Sequence, residues 1–133
     1  MIAILKKYLI SISLSAVILY LCFMSVESLP ESPMTNFDKI VHFLMFLGLS
    51  GVVFFENTGY LRKPTSLQRI VFGSFLFPTL FSGIIELMQE YLSPNRTGDW
   101  MDFLFDAIGT FIGLVICLKI NQILSLKNKR EGE

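Results

Sequence analysis

Charge is scarce in this sequence. Asp, Glu, Lys and Arg make up 17% of its 133 residues, against roughly 25% in an ordinary soluble domain. The apolar residues that take their place fall into four blocks, which begin near positions 8, 40, 70 and 100. No block has a polar face that continues along its whole length, which disfavours a water-soluble helical bundle.

The first block has no charged residue at all between Lys7 and Glu27. A membrane-spanning helix needs about 20 mostly apolar residues, and this block meets that length. The block lacks the small-residue cleavage pattern of a secretory signal near Ser25–Ser28 and exceeds the usual apolar core of about 7–15 residues. We therefore expect a retained helix and not a signal peptide.

Reactive side chains are also few. The sequence has one histidine, so it cannot supply the two that the usual membrane phosphatases require. Its two cysteines, Cys22 and Cys117, fall near opposite ends of the predicted helices. A disulfide needs Cα atoms within about 7 Å, so we expect these two thiols to stay unpaired. No long polar segment is present that would form a docking domain.

The four blocks predict an all-α membrane protein with four transmembrane helices. We place the helices at about 8–26, 39–56, 69–92 and 100–119, within a single integral membrane domain that covers residues 1–133. The short loops predict antiparallel neighbours in a small bundle. Pro78, between Gly73 and Gly83, should kink or bend the third helix.

The distribution of basic residues predicts the orientation. Nine of the eleven Lys and Arg residues lie in the N-terminal segment, the second loop and the tail. Because basic residues mark the cytoplasmic side, both termini should face the cytoplasm. Loops one and three should then face outward. The lipid bilayer is the expected partner, and nothing in this pattern indicates nucleic acid.

The polar residues of the last helix follow its periodicity. Residues three and four apart share one face of a helix, and a single stripe of this spacing contains Asp99, Asp102, Asp106, Gly109 and Gly113. The carboxylates lie at its outer end. The two glycines lie deeper, where a small residue lets a neighbouring helix approach closely.

Two other helices carry polar stripes at the same outer end. Glu86 and Gln89 share a face of the third helix, and Asp38 and His42 share a face of the second. Because lipid-facing carboxylates are costly, we expect the stripes to turn inward around one outward-opening polar pocket. Its predicted members are Asp38, His42, Glu86, Gln89, Arg96, Asp99, Asp102 and Asp106.

Several of these residues have a simpler alternative role. Asp38 and Lys39 are also consistent with interfacial charges, and Asp99 with the N-cap of the fourth helix. Glu86 and Asp106 are different, because each lies inside an apolar run. Carboxylates within membrane spans are candidates for function by default.

The residues of this pattern resemble the VanZ-like family of membrane proteins. The resemblance rests on DKIVHFLMFLGL in the second helix, E-x-x-Q in the third, and R-x-x-D-x-x-D-x-x-x-D-x-x-G-x-x-x-G across the third loop and the fourth helix. It covers about Phe37 to Gly113. The family usually has Asn at the position of Asp106, and Asp can replace it as a hydrogen-bond acceptor.

The resemblance implies a multi-pass protein of the bacterial cytoplasmic (inner) membrane and cell envelope. The family's name-giving member is associated with resistance to the lipoglycopeptide teicoplanin. We expect the pocket to bind an amphiphile, either the lipid tail of such an antibiotic or a lipid-linked envelope precursor. No catalytic class or cofactor is indicated, and no metal site is assigned.

Two alternatives are left open. The first is an enzyme acting on a lipid-linked substrate, in which Glu86, His42 and Asp102 would supply acid–base chemistry or carboxylates would hold a divalent cation beside a phosphate. The second, with less support, is a small proton-coupled transporter.

Overall fold

The computed structural model describes residues 6–23, 37–59, 65–92 and 99–131. Within these ranges the chain is helical and has no β-strand, which confirms the predicted all-α class. The four described helices are α1 (Leu9–Phe23), α2 (Phe37–Asn57), α3 (Leu67–Leu92) and α4 (Trp100–Glu131). Of these, α2, α3 and α4 are long and apolar enough to cross a membrane.

The first and last helices differ in length from the predicted ones. The described part of α1 has 15 residues, fewer than the roughly 20 of a full span, so a crossing by α1 stays a prediction. The end predicted for the last helix, near 119, was wrong because α4 continues to Glu131. The tail contains several Leu, Lys and Arg residues, which favour helix, and has no Gly before Gly132.

The pairing of α2 with α4 is the closest in the described bundle, and two glycines of α4 permit it. A Cβ atom at Gly109 would collide with the backbone carbonyl of Phe43, and one at Gly113 would lie 2.7 Å from the carbonyl oxygen of Leu47. Only a residue without a side chain fits against a neighbouring backbone at this distance. The two backbones therefore touch where α4 passes α2.

A proline in α3 is accommodated by its neighbours. Pro78 has no N–H, so the carbonyl one turn before it, on Ser74, loses its ordinary helical donor. The helix forms a π-turn over Phe72–Leu76, and the hydroxyl of Ser50 on α2 donates to the Ser74 carbonyl at 2.6 Å. The proline thus creates a bond between α2 and α3.

The middle of the bundle is apolar. Phe46, Leu49 and Val53 of α2 are buried against Ile18 of α1 and Ile85 of α3. Many large apolar side chains on the other faces are exposed, among them Leu80, Ile84 and Leu104. An apolar exterior of this kind suits lipid and not water.

We expect Gly109→Ala to destabilise the protein by about 1–3 kcal/mol, because the added methyl group must push apart two packed backbones. Gly48→Ala is the matched control, since a Cβ at Gly48 has no atom within 4 Å. The measurement is the thermal unfolding midpoint of each variant in the same detergent. Equal midpoints for the two variants would contradict this packing.

Candidate functional site

Three helices place polar side chains together at one end of the bundle, which we call the His42 end. The Nδ1 atom of His42 on α2 lies 3.2 Å from Oδ1 and 3.3 Å from Oδ2 of Asp106 on α4. The hydroxyl of Ser82 on α3 donates to Asp106 Oδ2 at 2.6 Å. His42 is 3% exposed and Asp106 is 1% exposed, so this contact is closed to bulk solvent.

Glu86 holds the beginning of α4. Its Oε2 atom accepts the backbone N–H of Asp99 at 2.9 Å. Asp99 is the N-cap of α4, because its own Oδ1 accepts the N–H of Met101 at 2.8 Å. The Met101 N–H and then the Lys39 ammonium group keep the pKa of Asp99 below its ordinary value. Asp99 therefore has the N-cap role that the sequence analysis gave as an alternative to pocket membership.

Lys39 is a member of this cluster that sequence reasoning did not place in the pocket. Its Nζ atom lies 3.0 Å from Asp99 Oδ2 and 3.4 Å from Asp102 Oδ1. The spacing of Lys39 from His42, three residues on one helix, was the signal that could have found it. Lys39 thus joins α2 to the first turn of α4.

The other predicted members lie at the edges of the cluster or outside the described chain. Asp38 is exposed, but one of its carboxylate oxygens lies within 4.8 Å of ligating atoms of His42 and Asp102. Gln89 is buried and donates to the carbonyl of Cys22 at 2.8 Å, so it ties α3 to α1. Arg96 lies outside the described residues. The functional roles of all these residues stay predictions.

The opposite end of the bundle, the Glu56 end, contains polar residues that the sequence analysis missed. Glu56 is 2% exposed, and its Oε1 atom accepts the backbone N–H groups of Ile10 and Ser11 at 3.0 and 3.2 Å. The hydroxyl of Tyr8 donates to Oδ1 of Asn57 at 2.8 Å. None of these residues was among the predicted members of the polar pocket.

Helical periodicity could have found Glu56, because it continues the buried face of α2 after Leu49 and Val53. A carboxylate at this position also meets the positive end of the α1 dipole. His42 and Glu56 are separated by about 21 Å along α2, with the buried rings and aliphatic chains of the core between them. Small hydroxyl side chains, those of Ser50, Ser74 and Thr110, are also buried in this core. Within the described chain, no Asp, Glu, Lys, Arg or His lies between the two ends.

The order of groups at the His42 end limits its chemistry. In a serine hydrolase, the imidazole removes the proton of the serine and the carboxylate orients the imidazole. Here the Ser82 hydroxyl donates directly to the Asp106 carboxylate, so the arrangement does not activate Ser82 as a nucleophile. Cys22 and Cys117 are buried and form no disulfide in the structure described, as expected.

An all-helical chain with three helices suited to cross a bilayer, and with buried ionisable groups between them, has the features of a multi-pass membrane protein. The VanZ/LLP1 family model matches residues 3–124, which is nearly the whole chain. The chain therefore belongs to the VanZ/LLP1 family, and the predicted resemblance is confirmed. No curated protein and no solved structure matches it.

We expect Asp106→Ala to destabilise the protein by about 1–3 kcal/mol, because the buried His42 and Ser82 side chains both lose their partner. Asp38→Ala is the control, since Asp38 is exposed on α2 and surface changes usually stay within about 0.5 kcal/mol. Thermal unfolding in a common detergent measures both. If Asp38→Ala lowered the unfolding midpoint as much as Asp106→Ala, the buried contact would not contribute more to stability than an exposed residue does.

Proposed function

We propose that this protein binds an amphiphile at the outer leaflet of the bacterial cytoplasmic membrane, in a groove between α3 and α4. The observation that carries the proposal is a cavity of about 560 Å³ between these helices. Ligand pockets usually occupy about 300–1,000 Å³. Its walls are mainly apolar, and the exposed Glu90 lies at its edge.

The shape of the groove suits a lipid chain. It follows α3 from Thr79 to Tyr91, which corresponds to about 18 Å of helix. Leu80, Ile84 and Phe103 line it, so an acyl chain lying along α3 would meet apolar side chains. Within a bilayer such a chain is already in an apolar medium, so van der Waals packing against these side chains is what would favour the groove.

The end of the groove suits the polar head of the same molecule. Tyr91 and Trp100 line it and are 81% and 79% exposed, as aromatic residues at a membrane–water interface often are. Glu90 is at the same end and offers a carboxylate to an amine or to sugar hydroxyls. Arg96, six residues further along the chain, is the predicted contact for a phosphate or carboxylate.

The orientation of the site follows from the basic residues. Lys7, Arg69 and Lys127 are exposed near the Glu56 end of α1, α3 and α4, and we assign this end to the cytoplasm. The His42 end and the groove mouth then face outward. Both termini are cytoplasmic in this arrangement.

Two candidate ligands have this chemistry. The association of the family's name-giving member with teicoplanin favours a lipoglycopeptide, whose lipid tail would occupy the groove. A lipid-linked envelope precursor, with an apolar chain and a sugar-bearing head, has the same two parts. Proton-coupled transport has less support, because no Asp, Glu, Lys, Arg or His of the described bundle lies between its two polar ends.

We expect Gly83→Leu to weaken teicoplanin binding by at least about tenfold, which corresponds to roughly 1.4 kcal/mol. A Cβ at Gly83 lies 3.4 Å from the Phe103 ring, so a leucine would fit the backbone but fill the groove. Gly48→Leu is the matched control on another helix surface. Binding is measured by titrating teicoplanin into the protein in lipid nanodiscs.

The same variants test the biological role in a sensitive host at matched membrane levels. The wild type and Gly48→Leu should raise teicoplanin tolerance, whereas Gly83→Leu and Arg96→Ala should lose the increase. If the wild type binds teicoplanin but does not raise teicoplanin tolerance in the host, the lipid-linked precursor is favoured as the native ligand. Equal teicoplanin affinity for the wild type and Gly83→Leu would contradict the groove as the binding site.

A further inference from the structure

We propose that His42, Glu86 and Asp106 bind a divalent transition-metal ion of the Zn²⁺ or Mn²⁺ type. Each residue offers one ligating atom, these atoms lie within 4.8 Å of one another, and all three residues are buried. They come from α2, α3 and α4, so one ion would join three helices. The sequence left a divalent cation open only for the enzyme alternative and identified no set of ligands, because no two of these three residues are close in the chain.

An unsatisfied oxygen atom points to a ligand at this position. Glu86 is 8% exposed, and within the described chain its Oε1 atom is buried without a hydrogen-bond partner. A buried carboxylate oxygen with no partner is costly. A cation among the three side chains would supply the missing partner directly.

Hydrogen bonds from neighbouring groups orient the carboxylates of Glu86 and Asp106 for metal binding. The Ser82 hydroxyl donates to Asp106 Oδ2, and the Asp99 N–H donates to Glu86 Oε2. Each carboxylate thus has one oxygen fixed by a hydrogen bond, while Oδ1 of Asp106 faces His42 and Oε1 of Glu86 has no partner among the described residues. Hydrogen bonds of this kind fix the direction of metal ligands.

The charges at the cluster also favour a dication. Glu86 and Asp106 together carry two negative charges when ionised, and His42 binds a metal as the neutral imidazole. Among the described residues, Lys39 is the ammonium group at this end, and it contacts Asp99 and Asp102 instead. A divalent ion would balance both carboxylates inside the apolar bundle.

The chemical types of the three ligands predict the order of affinity for different metal ions. An imidazole with two carboxylates suits Zn²⁺ and Mn²⁺ better than Ca²⁺, which prefers oxygen ligands alone. Nitrogen–oxygen sites generally bind Zn²⁺ more tightly than Mn²⁺. The adjacent group of Asp38, His42 and Asp102 is a weaker candidate, because Lys39 already lies 3.4 Å from Asp102.

The test uses the full-length protein in detergent, stripped by a chelator and equilibrated with Zn²⁺, Mn²⁺, Mg²⁺ or Ca²⁺ alone. Bound metal is measured by elemental analysis, and affinity by competition with a chromophoric chelator. We expect about one Zn²⁺ per chain, weaker Mn²⁺ binding and a higher thermal midpoint with Zn²⁺. Ser82→Ala should weaken Zn²⁺ binding by about 10–100-fold, and Glu86→Gln or Asp106→Asn by more.

The Asp38→Asn variant distinguishes the proposed ligand group from the adjacent group that contains Asp38 and Asp102. Unchanged Zn²⁺ affinity in this variant supports the assigned ligands, whereas a loss equal to that of Asp106→Asn would place the ion at the other group and overturn the proposal. The absence of Zn²⁺ and Mn²⁺ binding at millimolar concentration by the folded wild type would overturn it as well. The inference does not depend on amphiphile binding, so either can fail alone.

Discussion

The contact between His42 and Asp106 is the interaction on which the rest of this structure depends. A carboxylate inside an apolar bundle is tolerated only where polar groups surround it. Here the imidazole comes from α2 and the Ser82 hydroxyl from α3, while the carboxylate belongs to α4. The relative position of three helices is therefore set by the need to satisfy one buried side chain.

Close packing makes that contact possible. Gly109 follows Asp106 by three residues and lies on the same face of α4, where it meets the Phe43 carbonyl beside His42. The absence of a side chain at Gly109 allows the approach that lets Asp106 reach the imidazole. The groove lies on another side of α4, where it meets α3. The polar cluster, which also joins α3 to α4, therefore supports the walls of the groove.

Much of this arrangement follows from the sequence by periodicity and by the cost of polar groups in lipid. The spacing of Asp99, Asp102 and Asp106 places them on one face, and an apolar surrounding requires that face to turn inward. The partners of each carboxylate could not be predicted, because they depend on the rotation and depth of three helices. Glu56 was missed because it lies at a helix end, where a charged residue ordinarily reaches water.

The central claim is that the groove between α3 and α4 holds the apolar chain of an amphiphile. The most direct measurement is photo-crosslinking with an acyl chain that carries a diazirine, followed by mass spectrometry of the labelled peptides. The account predicts labelling of the groove residues, Ile84 and Leu87 of α3 and Phe103 of α4, and its loss when unlabelled ligand competes. Labelling spread evenly over all lipid-facing helix surfaces, without competition, would contradict it.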